Sequence, residues 1–148
     1  MTTLDEVERW LDALAASPSA VRTFGVMSPS QALLHGAQSI GYSLRGYPRL
    51  RPRLLRLTVG KLAFAVFSLT GSMRHDVDGP IPGAPPVPSD GSLAEGIDGL
   101  RQAIAEFRAE NGPLAPHFLF GKLDRKDYEL AHAIHIADHA RRFSLPPR

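Results

Sequence analysis

Three of the chain's six histidines, His132, His135 and His139, fall within eight residues in the stretch AHAIHIADHARRF. His135 and His139 are four apart. On a helix that spacing brings Cβ atoms to about 6 Å, and two imidazoles can then converge on one cation at ~2.0 to 2.1 Å. At 100° per residue, all three histidines fall with Tyr128 on one stripe about 60° wide. The stripe borders an apolar arc of Ala133, Ile136, Ala137 and Ala140, and it lies away from Asp127, Asp138, Arg141 and Arg142. The same spacing equally suits a structural role, in which imidazoles at the edge of a packed helix have their N–H groups satisfied. A metal would need a third ligand, and MSPSQALLH offers His35. Gln31, Gln38, Ser39 and Tyr42 share its stripe on a helix. That polar stripe is either a solvated face or one wall of a cleft opposite the last helix.

The chain has no cysteine, so disulfides, thiolate ligands and a cysteine nucleophile are excluded. A metal site here must use histidine, carboxylate or water. No glycine-rich phosphate loop, GxSxG elbow or HExxH pair is present. Six basic residues and no acid lie between Arg45 and Lys61. They can draw an anionic substrate tail, but the aromatic interleaving of a nucleic-acid platform is limited to Tyr47, so the segment is read as a solvated flank and no nucleic-acid partner is expected. His117 in PHFLFG is a candidate loop ligand or gate, or else a structural linker contact. His75, Asp76 and Asp78 in RHDVD offer a ligand or base, or a plain polar loop.

Helices must position these groups. Thr3 and Glu6 have capping-box spacing, and Leu4, Val7, Trp10, Leu11 and Leu14 recur at helical intervals, which predicts a first helix ending near Ala16. Ser28, Pro29 and Gln31 open a second. The run LLRLTVGKLAFAVFSL predicts a buried third helix from about Pro52 to Leu69, with Gly60 as its weak point. Prolines and glycines then interrupt residues 72–91 and predict a long crossover or lid. A fourth helix is expected from Leu93 to Glu110, and Asp124 can cap a last one reaching Phe143. No sustained alternation argues for a strand. The expected architecture is all-α.

At 148 residues, 43% hydrophobic and with a formal net charge of +2, the chain is expected to form one domain over residues 1–148. Its first residues lack the apolar run of a secretory signal, and its longest uninterrupted apolar stretch is far shorter than the ~20 residues of a membrane span. A cytoplasmic location without a membrane partner is expected.

MSPSQALLH, then HIADH followed by ARRF, resemble the two characteristic segments of the DinB/YfiT-like superfamily, and PHFLFGKLDRKDYELAHAIH is similar to one branch of small proteins within it. The resemblance spans the chain. It implies a four-helix bundle with a long proline-rich crossover and an additional helix, and a three-histidine divalent-metal site made by His35, His135 and His139. Zinc or nickel is the expected ion, with iron also compatible. Gln38, Tyr42, Tyr128, His132 and His117 become the expected pocket residues. The implied chemistry is activation of water or a low-molecular-weight thiol for hydrolase- or transferase-type attack on a small molecule, by a homodimer with the apolar third helix as its interface. Where that branch carries a histidine and a glutamine, this chain has Asp138 and Arg142. The alternative is a non-catalytic helical binding or stress-related module that keeps the fold with a vacant site.

Overall fold

The computed structural model describes residues 1–18, 21–73 and 79–144. Six helices run in the order α1 (Leu4–Ala16), α2 (Pro29–Arg45), α3 (Arg53–Leu57), α4 (Val59–Thr70), α5 (Leu93–Ala109) and α6 (Arg125–Ala140). Four of them start where capping chemistry dictates. The Thr3 hydroxyl accepts from the Glu6 N–H at 3.2 Å while the Glu6 carboxylate accepts from the Thr3 N–H at 3.3 Å. Ser28 and Gln31 make the same reciprocal pair at the head of α2, and Ser92 and Glu95 at the head of α5. Asp124 accepts from the Asp127 N–H at 2.8 Å to open α6. Each such cap stabilises its helix by about 1 kcal/mol.

α1 and α2 each pack against both α5 and α6, and α2 lies most extensively along α5. Small residues permit that approach: a Cβ on Gly96 would stand 2.9 Å from the Ser30 Cα. The interior between these helices is filled by Leu4, Val7, Leu11, Leu33, Ile40, Leu100, Ile104 and Ile134, all almost fully buried. Each contributes about 1.5 to 3 kcal/mol of hydrophobic stabilisation. At the surface Arg101 reaches Asp12 at 2.5 Å, and Arg108 reaches Asp5 and Glu8. These exposed pairs are worth little beyond orientation.

Three expectations need correction. The expected third helix is two, α3 and α4, broken at Thr58 (φ −116°, ψ −90°), whose hydroxyl donates to the Leu54 carbonyl at 2.8 Å. It is not buried either: Leu54, Leu57, Leu62 and Leu69 are 74%, 57%, 68% and 87% exposed. α4 covers only one narrow face, setting Phe64 and Phe67 against Phe120, and hydropathy alone does not say how many faces of a helix find neighbours. Gly60 is there for closeness: a Cβ on it would stand 2.0 Å from the Leu119 carbonyl oxygen. Finally, α6 stops at Ala140, and Phe143–Ser144 (β2) pairs antiparallel with Arg22–Thr23 (β1). Two residues per strand carry no alternation to detect, and the Phe143 ring meets the edge of Trp10 at 5.2 Å.

The crossover between α4 and α5 is tied to α2 where it is described. Gln31 Nε2 donates to the Val87 carbonyl at 3.2 Å and Gln38 Nε2 to the Pro85 carbonyl at 3.0 Å. His75, Asp76 and Asp78 lie outside the described residues. No described helix is long and apolar enough to cross a membrane.

Candidate metal centre

α6 is surrounded on most sides, and Tyr128, His132, Ile134, Asp138 and His139 are all buried along it. Burying polar groups costs free energy unless each finds a compensating contact, so the contacts of these residues define their roles. Tyr128 donates its O–H to the Ala115 carbonyl at 2.7 Å, and burial pushes its pKa well above the usual phenol value. Asp138 accepts from Arg141 at 2.6 Å, and Arg141 also donates to Ser72 Oγ at 2.8 Å, tying the end of α6 to the start of the crossover.

His132 Nε2 lies 3.1 Å from Ser43 Oγ. Since the Ser43 hydroxyl donates to the Ile40 carbonyl at 2.6 Å, its oxygen accepts from the imidazole, which assigns the proton to Nε2. The ring stacks on Tyr128 at 5.3 Å and meets Phe107 edge-on at 5.4 Å. Burial lowers its pKa to about 3, so it is neutral at physiological pH.

His135 and His139 turn instead towards α2. Gly36 makes the meeting possible, because a Cβ there would stand 3.2 Å from Ile136 Cγ1 and the two helices approach closely at that level. His35, next to Gly36, is then delivered to α6 beside His135, the neighbour of Ile136. The His35 ring centroid is 5.2 Å from those of both His135 and His139, which are 4.9 Å apart. Ligand nitrogens of the three lie within 4.8 Å of one another. His35 and His139 are buried, His135 is half-buried, and Nε2 of both α6 histidines is shielded from solvent.

This donor set fits a divalent ion. Tetrahedral ligation at ~2.0 to 2.1 Å puts donor atoms roughly 3.4 Å apart, within reach of these nitrogens by small ring movements. Imidazole donors suit zinc, nickel, iron or copper. Three protein ligands leave a coordination position open, the arrangement of a catalytic site.

His35 and His135 form part of the wall of a cavity of about 320 Å³. Its other walls come from Ala63 and Phe67 of α4, Pro80 to Pro82 of the crossover, and the 117–120 loop. His132 and His117 line it as well. His117 Nδ1 accepts from the Leu119 and Phe120 N–H groups at 3.2 and 3.1 Å, so the imidazole also shapes the loop, with its ring stacked on Phe120 at 4.3 Å.

Three expected pocket residues face elsewhere. Gln38 is spent on the crossover, Tyr42 packs on the Tyr47 ring at 5.6 Å, and Tyr128 lies beneath His132 with its hydroxyl on Ala115. The helical wheel put them on the right stripe, but it does not report which neighbour each long side chain reaches. Ser39 and Arg51 were missed as cavity residues. Ser39 shares the His35 stripe and could have been inferred; Arg51 arrives from the loop before α3, and no periodicity points to it.

The family model described as "Protein of unknown function (DUF1569)" matches residues 1–145. No curated protein and no solved structure matches the chain.

Proposed function

From the premise that the chain belongs to the DUF1569 family, whose description assigns no activity, we propose that it is a divalent-metal-binding protein with His35, His135 and His139 as ligands. The supporting observation is the convergence of three imidazoles, from helices almost a hundred residues apart, to within 4.8 Å beside a cavity. A bound zinc or nickel ion, or iron, would act as a Lewis acid and lower the pKa of a water or small thiol at its open position. The chain's own residues do the rest. Phe67, Ile81 and Phe120 keep the cavity apolar, and neutral His132 presents one imidazole to it without adding charge. The reaction class proposed is hydrolysis, or transfer from a low-molecular-weight thiol, on a small electrophile. The DinB/YfiT-like bundle remains part of this proposal, favoured by the packing of α1 and α2 against α5 and α6 and by the long crossover. A cytoplasmic location belongs to it as well.

Titration of Zn²⁺ or Ni²⁺ into chelator-treated protein tests the site. One ion per chain, with at least about tenfold weaker binding in His139→Ala, is expected. Equal binding by wild type and variant would remove the proposal.

A second reading, a non-catalytic binding module, is favoured by one observation: the apolar face of α3 and α4 that meets solvent at Leu54, Leu57, Leu62 and Leu69. The proposed homodimer would cover that same face.

A further inference from the structure

We infer that the cavity takes a small organic anion, a carboxylate on an apolar body of about eight carbons, with its charged end held by Arg51. The inference rests on the reading of this cavity as a small-molecule site, and not on the metal. At about 320 Å³ the cavity is at the small end for ligand pockets. It has room for roughly ten water-sized volumes of ~30 Å³, the scale of a ligand with about as many non-hydrogen atoms. Phe67, Met73, Ile81, Phe118 and Phe120 would surround an apolar body and exclude water from it.

Against these walls one charge stands out. Arg51 is the only Lys, Arg, Asp or Glu among the described cavity residues. Its main chain is fixed on both sides: the N–H donates to the Phe118 carbonyl at 2.9 Å, and the carbonyl accepts from Arg56 Nε at 3.0 Å. The side chain therefore starts from a point on the loop before α3 that is anchored to the 117–120 segment of the cavity wall. Arg45, Arg101, Arg108 and Arg141 each pair with a carboxylate, whereas Arg51 makes no ion pair among the described residues. Arg51 is exposed, so its charge stays hydrated until a ligand arrives. Arg49, Arg53 and Arg56 raise the local positive potential with no acid between Arg45 and Lys61 to offset it. A guanidinium binds a carboxylate through two parallel N–H···O bonds, a geometry that neutral or cationic ligands cannot match.

Calorimetric titration of octanoate and 1-octanol into chelator-treated protein is the test, because without metal the carboxylate cannot be held by an ion. Octanoate is expected to bind tighter than octanol by about tenfold to a hundredfold, the range a charge-assisted hydrogen bond supplies, with the difference shrinking as salt rises. Arg51→Gln should bring the two ligands level, and Arg51→Lys should restore part of the preference. Equal binding by wild type, or an octanoate preference that survives Arg51→Gln, would overturn the inference. Octanoate binding seen only after metal is restored would also overturn it while leaving the metal proposal standing. Loss of the octanoate preference in Arg51→Gln with zinc uptake retained is the expected separation of the two.

Discussion

Gly36 of α2 sits against Ile136 of α6 so closely that a Cβ on the glycine would be 3.2 Å from Ile136 Cγ1. This contact sets the distance between the helices that carry His35 and the His135–His139 pair. Gly36→Ala gains up to about 1 kcal/mol of helix propensity but makes the stiff, buried Ile136 side chain give way by a few tenths of an ångström, so the two effects should nearly cancel. Gly36→Val should lose about 1 to 3 kcal/mol by overpacking and weaken metal binding as the helices part. Urea denaturation and metal titration on both variants check this. Unchanged metal affinity in a destabilised Gly36→Val would separate the contact from the site.

Gly60→Ala should behave in the opposite way to its helix propensity. The added Cβ would meet the Leu119 carbonyl oxygen at 2.0 Å, and that atom belongs to backbone that cannot rotate away. A loss of about 1 to 3 kcal/mol is expected, with displacement of the 117–121 turn that forms part of the cavity wall. A gain in stability would mean that α4 and this loop are not in contact.

His132 should make the protein acid-sensitive. Its pKa is lowered to about 3 by burial, against about 6.5 in an unfolded chain, so between those values the unfolded state binds a proton that the folded state does not. Stability therefore falls as pH drops through that window, by up to about 1.4 kcal/mol per pH unit from this residue alone, and is insensitive to it above about pH 7. His132→Gln should flatten the pH dependence by that amount between about pH 4 and 6. An unchanged slope would contradict the burial of the ring.

Leu62→Glu tests the exposed apolar face. In a homodimer closed through α4 the variant should be monomeric in light scattering with its fold intact, because Leu62 is 68% exposed in the single chain. A wild-type monomer would remove the dimer proposal.

Helix starts were legible in the residues: Ser28 with Gln31 and Thr3 with Glu6 are local signals, and both helices begin there. The His135–His139 pair was equally legible, since i, i+4 neighbours are set by helix geometry alone. Whether His35 joins them depends on contacts between distant segments. It turns on Gly36 meeting Ile136, which neither residue announces. The same limit explains α4, whose apolar run was read as buried although only Gly60 and Phe64 within it are. It explains Gln38 and Tyr128 too, whose stripe was right and whose partners, Pro85 and Ala115, lie on loops that the helical period does not describe.

The most direct measurement is the metal content of protein purified without a histidine tag, by elemental analysis of wild type, His35→Ala, His139→Ala and His117→Ala. Close to one divalent ion per chain is expected in wild type and His117→Ala, and less than about one-tenth of that in the two ligand variants. Metal-free wild type that also fails to take up added zinc or nickel, or equal metal in all four proteins, would contradict it.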